Sequence, residues 1–99
     1  MFFDPSQLTE RPRLLEEPPL ELLHPILARP GVARLVLNLD EAGNVTSVEI
    51  ESATLPPAAA ERAAQIFAAV RFTPGRIDGN AVKTRLRITV GAEERKKEN

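Results

Sequence analysis

The stretch "VARLVLNLDEAGNVTSVEIES", residues 32–52, decides the fold. Its first half alternates between the two sides of an extended chain, and the inward positions are Ala33, Leu35, Leu37 and Leu39. Its second half repeats the alternation, with Val48 and Ile50 inward and glutamates outward. Residues 40–44, "DEAGN", supply turn chemistry between the two halves. The stretch therefore predicts two strands joined as a β-hairpin.

The residues after this hairpin predict one helix. "TLPPAAAERAAQIFAAVRF", residues 54–72, contains Pro56-Pro57, which suit a first helical turn. Apolar residues recur at the i, i+3 and i+4 spacing of one helix face, at Ala59, Ala63, Ile66, Phe67 and Val70. Because proline breaks a helix interior, the helix must end before Pro74.

A third strand follows near the end of the chain. Residues 74–81 are rich in Pro, Gly, Asp and Asn, and we interpret them as a long return loop instead of a tight turn. From Val82 to Val90 the chain alternates again. The inward positions are Val82, Thr84, Leu86, Ile88 and Val90. The outward positions are Lys83, Arg85, Arg87 and Thr89, so that three cations share one face.

This order of elements predicts an α+β fold with a ββαβ core. A helix between the second and third strands makes those two strands run in the same direction, so the third can lie antiparallel beside the first. We therefore expect a three-stranded antiparallel sheet in the order 2-1-3, with the main helix on one face. The second and third strands are then the two edges of the sheet.

The N-terminal part has a different composition. Residues 1–30 hold six of the nine prolines, which excludes a long helix or a central strand there. "PPLELLHPILA", residues 18–28, predicts a short helix that starts near Pro19 and is limited or kinked by Pro25. The apolar side of this helix would consist of Leu20, Leu23 and Leu27.

These patterns divide the chain into three parts. Residues 1–23 form a Pro-rich arm, residues 24–91 a folded domain, and residues 92–99 a charged tail that we expect to be disordered. The arm is expected to lie on the domain. The sequence leaves open whether its leucines, Leu14, Leu15, Leu20 and Leu23, cover the edge of the last strand.

The composition argues against several kinds of function. The 13 basic and 14 acidic residues give a net charge of −1, which is unlike a protein that binds nucleic acid through bulk charge. The chain has no Cys and one His, His24. It has no Ser in a nucleophile-elbow context, no metal-ligand cluster and no phosphate-binding loop. We therefore predict a protein that is not an enzyme and has no metal, no cofactor and no nucleic-acid partner.

Residues 24–90 resemble the C-terminal domain of TonB-like energy transducers. The resemblance is carried by "GVARLVLNLDEAGNVTSVEIESA" and "AAAERAAQIFAAVRFTPGRIDGNAVKTRLRITV". The matching positions, in chain order, are Asp40, Gly43, Val45, Phe67, Phe72, Pro74, Gly79 and Val82. The sequence departs from the family at His24-Pro25, where relatives carry a Tyr-Pro pair, and in its charged ending.

The resemblance implies a function. Domains of this family lie in the periplasm as part of an inner-membrane-anchored protein, capture a short N-terminal box of an outer-membrane transporter by β-strand addition, and pass on force from a proton-motive complex. No apolar run here approaches the ~20 residues that span a bilayer, so the anchor is missing from this sequence. The partner-binding edge would consist of Val82, Lys83, Thr84, Arg85, Leu86, Arg87, Ile88, Thr89 and Val90.

The residues themselves leave two alternatives open. The same edge, or the charged sheet face, could pair with a second copy, which would make the chain an assembly module without a transporter ligand. The three cations of the last strand could form cross-strand ion pairs with Glu49 and Glu51 on a solvated face, or they could meet an acidic partner.

Overall fold

The computed structural model describes residues 1–92. The helices are α1 (Leu20–Leu27) and α2 (Pro57–Ala68), preceded by a 3-10 turn at Pro5–Gln7. The strands are β1 (Gly31–Leu39), β2 (Val45–Ala53), β3 (Gly75–Ile77), β4 (Asn80–Val82) and β5 (Thr84–Ala92). The predicted tail therefore starts inside β5, and its remainder, residues 93–99, lies outside the described residues.

The main sheet has the predicted architecture. Its strand order is β2-β1-β5, and both pairs are antiparallel, which confirms the order 2-1-3 and the α+β class. β5 pairs with β1 in unbroken register from Gly31 opposite Ala92 to Leu39 opposite Thr84. β2 is irregular, because its register with β1 shifts twice and leaves Thr46 and Glu51 as extra residues.

The core lies between the sheet and the two helices. The four inward residues predicted for β1, Ala33, Leu35, Leu37 and Leu39, are fully buried. α2 packs mainly on β2 and β1, and α1 packs on α2 and β5. Of the predicted stripe, Ala63 and Ile66 are buried on α2, and Val70 is buried just after the helix ends. Ala59 and Phe67 are half-buried against the core, and Ala60, which the spacing argument missed, is buried.

Two residues on predicted apolar faces are exposed. Ile50 stands opposite the buried Leu35 but is 39% exposed, because it lies on an edge strand next to one of the register shifts. Leu27 is 43% exposed, and Ile26 is buried in its place beside Leu23. α1 forms where expected, contains Pro25 and runs across the predicted boundary between residues 23 and 24.

The interpretation of residues 74–81 as a long return loop was wrong. β3 and β4 form a short hairpin in which Ile77 pairs with Asn80. Both residues of its turn have positive φ, 51° at Asp78 and 85° at Gly79. This is the type I′ geometry that Asp-Gly favours, because its twist matches the twist of paired strands.

This hairpin also corrects the start of the last strand. Val82 belongs to β4, where it pairs with Gly75, and the chain is interrupted at Lys83 before β5 begins. The predicted single strand from Val82 to Val90 is therefore two strands. The physical reason is that the backbone of Val82 is already committed to the small hairpin.

The β1–β2 turn is held by one carboxylate. Asp40 Oδ1 accepts hydrogen bonds from the backbone N–H groups of Ala42 at 3.0 Å and Asn44 at 2.8 Å. The hydrogen bond from the Asn44 N–H, and with it that from Ala42, holds the pKa of the Asp40 carboxyl below its usual value. The Gly43 carbonyl in turn accepts the Phe72 N–H at 3.0 Å, which ties the turn to the segment after α2.

Candidate functional site

The outer edge of β5, the side turned away from β1, is the candidate site. The Arg85 N–H donates to the Phe3 carbonyl at 2.9 Å, so Arg85 directs its backbone away from β1. Because antiparallel strands alternate, Arg87 and Thr89 direct their N–H and C=O groups to the same side. Among residues 1–92, neither has a backbone partner there.

The beginning of this edge is occupied by the arm. Phe3 forms a parallel bridge with Thr84, in which its N–H donates to the Lys83 carbonyl at 2.9 Å and its carbonyl accepts from Arg85. Met1, Phe2 and Phe3, which we call the arm tip, therefore lie at this edge and pair with it through a single bridge at Phe3. The predicted site is thus covered at Lys83–Arg85 and open from Arg87 onward.

Three of the four leucines considered as a possible cover, Leu14, Leu15 and Leu23, have their contacts elsewhere. Leu14 bridges to Phe72, the Leu15 N–H donates to the Arg71 carbonyl, and the two leucines are 43% and 54% exposed. Leu23 is buried in the core, and the side chain of Leu20 is outside the description. Between its tip and α1, the arm follows β3 through backbone bonds between Thr9 or Glu10 and Arg76.

Sequence reasoning missed the arm tip as part of the site. The Phe2 ring centroid lies 6.0 Å from Lys83 Nζ and 5.8 Å from Arg85 Cζ, within the range of cation–π attraction. The available signal was a Phe-Phe pair in a chain with only four phenylalanines. Such a pair identifies an anchoring segment but does not show where it anchors.

The cations of β5 have different partners on the open face of the sheet, opposite the helices. Arg87 Nε lies 3.3 Å from Glu51 Oε2 on β2, across the central strand. Arg85 Nε bonds the neutral Asn38 side chain at 3.5 Å. The expected ion pairing is therefore observed for Arg87. The face is basic along β5 and acidic along β2, around a shallow depression of about 510 Å³ over Val36.

The other edge of the sheet suits strand addition less well. β2 carries both register shifts, and extra residues bend a strand and disturb its row of hydrogen-bonding groups. β5 pairs with β1 without a shift over nine residues. A regular strand presents evenly spaced donors and acceptors to an incoming chain, so the edge of β5 is the better candidate.

The described part of the chain shows no other chemical centre. Within residues 1–92, no three His, Asp or Glu side chains come close enough together to hold a metal ion. His24 is exposed on α1. Neither helix of the described residues has the length and apolarity needed to cross a membrane.

Comparisons with protein-family models, with curated proteins and with solved structures give no match for this chain. The resemblance to TonB C-terminal domains therefore stays a prediction from the residues. The function has to be argued from the edge of β5 itself.

Proposed function

We propose that this chain is a protein-binding domain that captures an extended peptide as an added strand on the outer edge of β5. The observation that carries the proposal is the pairing of Phe3 with Lys83 and Arg85, since it places an extended segment on this very edge. Beyond it, Arg87 and Thr89 present further groups for an incoming chain. Strand addition of this kind draws affinity from main-chain bonds and selectivity from side chains.

The size of the open edge limits the affinity. The N–H and C=O groups of Arg87 and Thr89 offer four hydrogen bonds, each worth roughly 0.5–1.5 kcal/mol net. Association costs at least several kcal/mol of lost freedom. Backbone pairing alone therefore gives weak, reversible capture, and side-chain contacts must supply the remainder.

The partner follows from the resemblance in the sequence. We propose that the captured peptide is the N-terminal box of an outer-membrane transporter, and that the domain works in the periplasm as part of an inner-membrane-anchored, TonB-like energy transducer. In that setting, the paired strands would pass force from the proton-motive complex to the transporter. The regular β5 edge supports this proposal because it offers the required pairing surface.

The charge on β5 argues against the alternative of an assembly module joined edge to edge. A twofold antiparallel pairing of two β5 strands centred on Arg87, on the open part of the edge, would place Arg87 of one copy directly opposite Arg87 of the other, with Arg85 of each copy one pair away on the same face. Like charges on neighbouring strands destabilise the pair. This edge therefore suits a different partner better than a second copy.

A peptide titration followed by NMR tests the proposed function. The labelled domain is titrated with peptides from the N-terminal segments of outer-membrane transporters. Capture by strand addition predicts amide shifts concentrated from Arg87 to Gly91. Absence of shifts, together with a dimer in sedimentation, would contradict the proposal and favour the assembly role.

Removing the arm tip is expected to strengthen peptide binding. Deletion of residues 1–3 frees the Lys83 carbonyl and the Arg85 N–H, so a longer peptide can form two more backbone bonds. We expect its Kd to fall roughly tenfold, measured by calorimetry. Phe2→Ala keeps the backbone pairing and serves as the control with a smaller change. Weaker binding after the deletion would mean that the arm tip supports the peptide instead of competing with it.

A further inference from the structure

Resting on the proposed function, we propose that the captured strand alternates acidic and apolar residues. Its acidic side chains lie on the open face beside Arg85 and Arg87. Its apolar side chains lie on the helix face beside Leu86 and Ile88. The partner is thereby defined by a pattern of side chains in addition to its extended backbone.

The arm tip shows how side chains of an added strand are distributed. Phe3 pairs with Thr84, a buried residue of the helix face, and is itself half-buried. Its neighbour Phe2 lies over Lys83 and Arg85 on the open face. Paired strands place side chains at matching positions on the same face. A longer strand on this edge therefore has every second side chain beside the basic residues.

The open face selects for negative charge at those positions. Arg87 is 58% exposed, and its ion pair reaches back to Glu51, which is itself 44% exposed on the far strand β2. Arg85 bonds the uncharged Asn38. The acidic residues of the sheet thus lie on the side of β1 opposite to the entering strand. A carboxylate on that strand would give Arg85 a charged partner in addition to the neutral Asn38, and would give Arg87 a second one in addition to Glu51.

The helix face selects for apolar residues at the intervening positions. Thr84 and Val90 are buried, whereas Leu86 and Ile88 between them are only half-buried although both pack against the core. Both lie on the edge strand, so an apolar side chain on an added strand would cover them further. The two faces of the sheet therefore favour an added strand in which acidic and apolar side chains alternate.

Three synthetic peptides of ten residues test this pattern by calorimetry. The first alternates Glu with Val or Ile, the second replaces each Glu by Lys, and the third has the composition of the first in an acidic block and an apolar block. We expect the alternating acidic peptide to bind at least about tenfold more tightly than either of the others. Raising the salt concentration should reduce this advantage.

A charge reversal on the protein completes the test. The double variant R85E/R87E should prefer the Lys peptide, and R85Q/R87Q should lose the preference without acquiring the opposite one. The neutral variant keeps the test decisive if the charge-reversed protein fails to fold, which its amide spectrum would show. Equal binding of the acidic and basic peptides to the native chain would overturn this inference and leave strand addition standing. Failure of every peptide, transporter segments included, would overturn the proposed function itself.

Discussion

Replacing Arg87 with proline is expected to abolish peptide capture while the sheet stays folded. The Arg87 N–H points away from β1, so its loss removes no bond of the β1–β5 pair. Proline is tolerated on an edge strand when its ring faces outward. There it removes the N–H of residue 87 that would donate to the incoming chain, and its ring blocks the approach of that chain. We expect peptide affinity to fall at least about a hundredfold in calorimetry.

Two control variants distinguish the loss of the backbone N–H from the loss of the side chain, and a blocked edge from an unfolded sheet. Arg87→Ala keeps the N–H and removes the cation, so it should weaken binding by a few-fold only. Leu86→Pro removes an N–H that faces β1 and should unfold the sheet. If Arg87→Pro binds peptide as well as Arg87→Ala does, the outer edge of β5 is not the site.

The second large effect is expected at Gly43. Its φ is +87°, and an added Cβ would overlap the carbonyl oxygen of Phe72. That carbonyl belongs to backbone and has little freedom to move, because the Phe72 N–H is bonded to Gly43. Gly43→Ala should therefore lower the free energy of unfolding by roughly 2–5 kcal/mol in urea denaturation.

Gly79 provides a matched control for this substitution. Its φ is +85°, but nothing lies within 4 Å of an added Cβ. Gly79→Ala should carry only the conformational cost of the left-handed region, about 1–2 kcal/mol. Equal losses of stability in the two variants would mean that the contact with Phe72 contributes nothing.

The sequence predicted the main sheet because its strands are long enough to show periodicity. Nine-residue strands with one buried face repeat the alternation several times, and handedness then fixes their order. The β3–β4 hairpin was missed because strands of three residues show no period. Asp78-Gly79 is its one clear sequence signal, and the surrounding Pro and Gly residues are equally typical of a loop.

The candidate site was only partly predictable. Alternation and topology identified β5 as an edge, and the outward positions of Lys83, Arg85 and Arg87 followed from its period. The pairing of Phe3 with Lys83 did not follow, since it joins two distant parts of the chain through a single bridge. The burial of Ile26 in place of Leu27 was not predictable either. It depends on the orientation in which the short helix α1 packs against α2 and β5.

The course of the arm along β3 and β5 also has a consequence for folding kinetics. Its contacts join Thr9 to Arg76 and Arg13 to Thr73, across separations of 67 and 60 residues. The central strand β1 likewise gains its second neighbour only from β5, at the far end of the described chain. Domains dominated by such distant contacts fold slowly, because long loops must close before the contacts form. During synthesis, β1 therefore keeps one side unpaired until residues 84–92 have left the ribosome.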